Sequence, residues 1–178
     1  NTTMTKFNET YFTATYIPTQ GSHNVSYSCN DTFGNMNSSG IRYFSIDNTA
    51  PNLTINSPAN TTYTTTNIQI NFTNSSDTIN VWWFNGTGNQ NITYTEPIWY
   101  NFTQGTTKLY AYANDSVNNV NTTTVTFYVD SIQPYISITF PLNNTNTSDN
   151  RINVNYTASD TNLQACWYSN DTYSSNIS

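Results

Sequence analysis

The sequence predicts an all-β chain of short strands packed as two-layer sandwiches. Three observations predict it. Charged residues make up only 8% of the chain, while aromatics reach 15%, led by 14 Tyr; Asn, Thr and Ser fill the place of the missing charge. Thr and Tyr suit pleated strands, and Asn and Ser suit turns. Second, Ile68, Ile70 and Phe72 alternate with polar residues across 67–73, the period of a half-buried strand. Third, such runs recur with a spacing near 84 residues. Apolar residues are 35%, but the aromatic content and the net charge of −6 do not fit the disordered class, which needs few aromatics and high charge.

Residues 48–130 read as one complete unit. Leu53 and Ile55 open it, and Pro58-Ala59-Asn60 turns the chain into the run 67–73. The next strand is 80–84, carrying Trp82 and Trp83, followed by the turn Asn85-Gly86-Thr87-Gly88. Two short strands follow at 92–95 and 98–102. Gln104-Gly105 then leads into 107–113, with Leu109, Ala111 and Ala113 on one face. A polar loop, Asn114–Asn119, joins it to the longest strand, 121–129, with Val125, Phe127 and Val129 on one face. Seven short strands with turns every 8–12 residues form the pattern of an immunoglobulin-like sandwich.

The flanks repeat parts of this unit. Val25, Tyr27 and Cys29 match Leu109, Ala111 and Ala113; Asn30–Asn35 matches Asn114–Asn119; Phe44, Ile46 and Asp47 match Phe127, Val129 and Asp130. Residues 1–47 therefore hold the later strands of one unit. Ile136, Ile138 and Pro141 match Leu53, Ile55 and Pro58; Ile152, Val154 and Tyr156 match Ile68, Ile70 and Phe72; Ala165–Tyr168 matches Val81–Phe84. Residues 131–178 therefore hold the early strands of the next.

A half-sandwich exposes the face its second sheet should cover, so each flank needs completion. A longer polypeptide supplies it, or copies of the chain exchange halves head to tail; both give a row. Pairing of the two halves within one copy is disfavoured, because strands of about 8 residues separate the two poles of a sandwich by ~25–30 Å.

Composition bounds the partners. Four basic residues cannot neutralise a row of phosphates, so nucleic acid is excluded as an expectation. No apolar run approaches ~20 residues, so no membrane-spanning segment is expected. The chain carries no signal peptide and begins mid-pattern, as a mature or partial chain would. Asn-x-Ser/Thr occurs at Asn1, Asn8, Asn24, Asn30, Asn37, Asn52, Asn60, Asn71, Asn74, Asn85, Asn91, Asn101, Asn114, Asn121, Asn143, Asn146, Asn155, Asn170 and Asn176. That is about twice the number composition alone would give for such a motif. It points to N-linked glycans and an extracellular, cell-surface location; no other cofactor is expected.

The two cysteines are Cys29 and Cys166, and their counterparts in the complete unit are Ala113 and Trp82. A large residue facing a small one fills a fixed core volume. On that reasoning Cys166 of one segment meets Cys29 of the next, and an oxidising exterior would make them a disulfide. The alternative is a pair of buried free thiols.

No catalytic constellation appears, and no enzyme activity is expected. His23, the only histidine, reads as a surface residue at a turn, and no Gly-x-Ser-x-Gly element presents a serine. No Cys, His or carboxylate cluster has zinc spacing, and no metal site is expected. Carboxylate pairs for glycoside hydrolysis are conceivable among Glu9, Asp31, Glu96 and Asp115, but Asp31 and Asp115 hold the same loop position in successive repeats, which marks turn chemistry. Asp47 and Asp130 each end a unit, a single carboxylate per junction and too few for a strong calcium cage. Trp82, Trp83, Trp99, Trp167 and Tyr168 are either core rings or a sugar-stacking platform; adjacent residues on one strand alternate faces, so one of Trp82 and Trp83 points outward.

Asn48-Thr49-Ala50-Pro51, Ile55-Asn56-Ser57-Pro58, Ala165-Cys166-Trp167-Tyr168-Ser169 and Cys29-Asn30-Asp31-Thr32-Phe33-Gly34-Asn35 resemble the Ig-like repeats of large archaeal, and some bacterial, surface proteins. The resemblance covers essentially the whole chain. It implies stalk, adhesin, sheath or fibre components, with cysteines on the strands that carry Cys166 and Cys29. The expectation is a non-enzymatic structural component of a glycosylated extracellular filament, stalk or surface layer; the alternative is an adhesin module binding glycans or a partner cell surface.

Overall fold

The structure is a computed structural model, and it describes residues 4–6, 8, 10–86 and 91–169. Glu9, Asn1, Asn170 and Asn176 fall outside the described residues, as do Thr87 and Gly88 of the expected turn. Of the described residues, 49% are in strands and none is in a helix. The fold is all-β with several sheets, consistent with the β-sandwich class. The chain packs as two compact units, residues 1–55, 72–96 and 110–124 in the first and 56–71, 97–109 and 125–178 in the second.

In the first unit three small antiparallel ladders come from residues 4–46. β1 (Thr5–Lys6) pairs with β2 (Phe12–Thr13), β3 (Gly21–Val25) with β6 (Arg42–Ile46), and β4 (Ser28–Asn30) with β5 (Met36–Ser38). The run Val25, Tyr27 and Cys29, matched above to the continuous strand at 107–113, is thus split between β3 and β4. Between β3 and β4 the Ser39 hydroxyl accepts the Tyr27 N–H at 2.8 Å, while the Ser39 N–H donates to the Tyr27 carbonyl at 2.7 Å. A side chain there replaces a ladder bond. The unit also holds β10 (Asn80–Phe84), between β11 (Ile92–Tyr94) and β13 (Gly105–Asn114), with β14 (Val120–Val129) next in order. β10 and β13 are antiparallel, with Val81 opposite Ala113, Trp82 opposite Tyr112 and Trp83 opposite Ala111. Leu53, Phe72, Val81, Trp83, Ala111 and Ala113 are its buried apolar residues, and Trp83 is fully enclosed.

The second unit has the order β12 (Ile98–Asn101), β9 (Asn67–Asn74), β7 (Leu53–Ser57) in one sheet. In the other, β13 and β14 are followed by β8 (Thr62–Tyr63). β8 runs parallel to the end of β14, with Thr62 opposite Tyr128 and Tyr63 opposite Val129. Ile68, Ile70, Phe102, Leu109, Phe127 and Val129 are buried. Removing a side chain such as Ile70 from water stabilises by about 1.5–3 kcal/mol. Phe127 sits between two edge-on rings, Phe102 at 5.0 Å and Tyr63 at 5.7 Å, a favoured aromatic geometry. A separate ladder, β15 (Tyr135–Phe140) with β16 (Asn155–Ser159), completes this unit, with a register shift between Ile138 and Phe140.

Every buried residue lies between Pro51 and Val129, and outside that interval none of the described residues is buried. The strands expected at 53–55, 67–73, 80–84, 92–95, 98–102, 107–113 and 121–129 are all present in shorter or longer form. Residues 151–154, expected as the start of a strand, are not in one. Their counterparts 67–70 form the part of β9 that β12 pairs, with Ile68 opposite Tyr100 and Ile70 opposite Ile98. A strand segment without a partner has unpaired amides and no ladder to hold it extended.

Candidate functional site

Two kinds of recurring feature lie at the ends of the strands. The first is the loop after β4 and after β13. Asp31 accepts the Phe33 and Asn35 N–H groups at 2.9 Å, and its other oxygen accepts the Asn35 amide at 2.7 Å. Asp115 accepts the Val117 and Asn119 N–H groups at 2.9 Å and the Asn119 amide at 2.8 Å. Each loop places one residue in the left-handed region, Gly34 at φ 87° and Asn118 at φ 66°. Donors from Asn35 hold the Asp31 carboxyl below its ordinary value of 3.8. At Asp115 burial opposes ionisation, yet the donors from Asn119 and Val117 outweigh it and the value is again lowered. Both carboxylates are saturated by their own loops, as turn residues are.

The second is a glutamine at each junction. Gln20 accepts the Asn48 N–H at 2.8 Å and donates to Asp47 at 2.9 Å. Gln104 accepts the Ser131 N–H at 3.0 Å and donates to the Ser131 hydroxyl at 2.5 Å. Gln20 and Gln104 each precede a glycine of positive φ, Gly21 and Gly105. Sequence reading used Gln104 only as a turn marker. The signal that identifies the clamp is the shared Gln-Gly pair 27 or 28 residues before the amide it holds. Asn119 adds bonds to the first junction, donating to the carbonyls of Asp47 at 3.1 Å and Thr49 at 3.4 Å, and Asn121 donates to Pro51 at 2.9 Å. At the second junction a polar-lined pocket of about 390 Å³ is bordered by Asp130 and Asp160. Among the described residues no group of three or more His, Cys, Asp or Glu is placed to hold a metal.

The cysteine equivalence needs correction. Trp82 is not the core neighbour of Ala113: it lies on the other face of β10, stacked on Tyr112 at 5.7 Å and 8°. The residue opposite Ala113 is Val81, and both are buried. A side-chain period of two forbids Trp82 and Ala113 from sharing a face when Val81 already does. Both cysteines are free thiols; Cys29 is exposed and Cys166 half-buried. Interaction with the Cys166 thiol holds the Tyr156 hydroxyl above its ordinary value.

The remaining expected residues are placed as follows. His23 is half-buried, stacked on Phe44 at 5.5 Å, bonded to the Thr19 carbonyl at 2.7 Å and to the Tyr16 hydroxyl at 3.2 Å. Trp83 is core, whereas Trp99, Trp167 and Tyr168 are exposed. Of the described sequons, Asn8, Asn24, Asn30, Asn37, Asn52, Asn60, Asn74, Asn91, Asn101, Asn143, Asn146 and Asn155 are exposed, and Asn71, Asn85, Asn114 and Asn121 are half-buried. Among the described residues no helix is long and apolar enough to cross a membrane. Compared with known protein families and with curated proteins, the chain matches none.

Proposed function

We propose that the chain is a non-enzymatic structural component of a glycosylated extracellular filament, stalk or surface layer, built of tandem Ig-like sandwiches. The observation that carries this reading is the recurring junction. Gln20 accepts the Asn48 N–H and Gln104 accepts the Ser131 N–H in the same way one repeat apart, so this recurring bond bears on how one repeat leads into the next. A clamped linker limits bending, which is what a load-bearing row requires. The strand orders β12-β9-β7 and β11-β10-β13-β14-β8 also support the Ig-like assignment. The exposure of most described sequons supports the reading, since glycans added there would project outward.

The adhesin alternative has one observation in its favour, the exposed Trp99 on β12. Asn101, an exposed sequon on the same strand face, would set a glycan beside that ring, so the structural reading is the stronger. The test is the intact mass of the protein isolated from its own source, with electron microscopy of the same sample. The reading expects a mass well above the 20.1 kDa of the polypeptide that falls on enzymatic glycan release, and elongated particles. An unmodified mass, or compact particles that bind free oligosaccharide, contradicts it.

A further inference from the structure

We propose that Asn101 carries an N-linked glycan whose first sugars pack on the exposed indole of Trp99, so that the outer face of β12 and β9 is covered by the protein's own carbohydrate. This rests on the glycoprotein reading above and names one attachment site and the surface its glycan occupies.

The strand dictates the arrangement. Tyr100 and Phe102 share one side, their rings edge to face at 4.9 Å, and Phe102 is buried against Phe127. Side chains alternate along a strand, so Trp99 and Asn101 are sent to the other side. Both are exposed. The register sets Gln69 of β9 opposite Trp99 and Asn67 opposite Asn101. Directly opposed residues bring their Cβ atoms within about 4.5–5.5 Å. The patch is therefore one flat ring among three amides, and none of these four residues is charged.

The ring is the anomaly of the central repeat. Among the described residues from Pro51 to Val129 every other aromatic side chain is buried or half-buried, whereas Trp99 is 65% exposed. An indole offers a broad apolar face and a single N–H donor. Its match is a surface apolar in the middle and hydroxylated at the rim. A pyranose ring is such a surface: its C–H groups lie over the indole, and its hydroxyls meet the amides of Gln69 and Asn67, each both donor and acceptor. A charged ligand finds no counter-charge among these residues.

The occupant is the chain's own glycan because the attachment point is on the patch. Asn101-Phe102-Thr103 is a sequon, and Asn101 and Thr103 are both exposed. The amides of Asn114 and Asn121, two other sequons of the repeat, already donate to Asn118 at 3.2 Å and to the Pro51 carbonyl at 2.9 Å. Positions two apart on a strand are separated by about 6.8 Å. A sugar on Asn101 is thus tethered beside the indole, and stacking becomes an intramolecular event that a free sugar must compete against. Attachment takes a lipid-phosphate-linked oligosaccharide as donor. The Asn101 Nδ2 loses one proton and bonds to the anomeric carbon, the anomeric C–O bond breaks, and the lipid phosphate leaves with the electron pair.

The test maps the glycopeptides of the protein from its own source by mass spectrometry. The intact protein is then mildly oxidised with hydroxyl radicals before and after enzymatic glycan release, and Trp99 is read in its peptide. The proposal expects a glycan on Asn101 and a several-fold rise in Trp99 oxidation on release. T103A, made in the same glycosylating host, loses the sequon but keeps Asn101 and Trp99; it should oxidise at Trp99 as fast as the released protein, with no further rise. W99A should keep the glycan, and sugar protons shifted upfield by the indole ring in the wild type should return to their free positions. A bare Asn101 among occupied sequons, an occupied Asn101 with Trp99 oxidised equally before and after release, or protection of Trp99 only by added free oligosaccharide overturns the proposal. A bare Asn101 among occupied sequons leaves the glycoprotein reading standing, whereas an unmodified mass removes that reading itself, so the two failures are distinguishable.

Discussion

Residues 51–129 and the segments flanking them carry similar apolar patterns and meet different fates. Ile70 is 0% exposed and its counterpart Val154 is 47% exposed; Phe127 is 2% exposed and Phe44 37%. The side chains are equally apolar, so the difference does not come from residue choice. It comes from whether partner strands are present. β9 is extended over eight residues because β12 and β7 flank it, whereas β16, its counterpart, keeps five. Burial in this chain is a property of completed sheets.

That comparison sets the order of expected effects. Trp83→Ala should cost about 3–5 kcal/mol in urea unfolding, the usual loss for a large aromatic cut from a core. Trp167→Ala, at a 58% exposed ring, should stay within about 0.5 kcal/mol in dilute monomer. Equal costs at the two sites would erase the distinction. Ile70→Ala should cost about 2–5 kcal/mol at every protein concentration. Val154→Ala, at a 47% exposed side chain, should stay within about 0.5 kcal/mol.

Smaller effects come from the clamps. Gln104→Ala should raise amide exchange at Ser131 and cost about 1 kcal/mol; Gln20→Ala should do the same at Asn48. If one glutamine matters and the other does not, the junctions are not equivalent. The loop carboxylates give the smallest and most conditional effect. Both are lowered in the folded chain, so their contribution is present above the ordinary value of 3.8 and is lost as pH falls through the lower folded values. Asp115→Asn should flatten the stability profile below that value. Asp31→Asn should change only local exchange around Phe33 and Asn35, because no core lies beneath that loop.

The central strands were legible because alternation, Pro and Gly punctuation all agreed, as in 67–73 with Pro58 before it. β8 was not, because Thr61-Thr62-Tyr63-Thr64-Thr65 has no alternation; its two residues are held by Tyr128 and Val129, a tertiary cause. The outward Trp82 and inward Trp83 were legible only as an alternative, since two adjacent tryptophans fit either face until the opposite strand fixes the register. The clamp glutamines stayed hidden because a single polar side chain shows its role only through its partners. That segments 14–17 and 151–154 both lie outside strands was not legible in the sequence, because alternation alone does not say whether a partner strand is present.

The most direct measurement is amide hydrogen exchange at residues 67–70 and 151–154. Residues 67–70, paired with β12, should be protected. Residues 151–154, in no strand, should exchange freely. Equal protection of the two segments would contradict the account that partner strands decide which of these matched runs is held in a sheet.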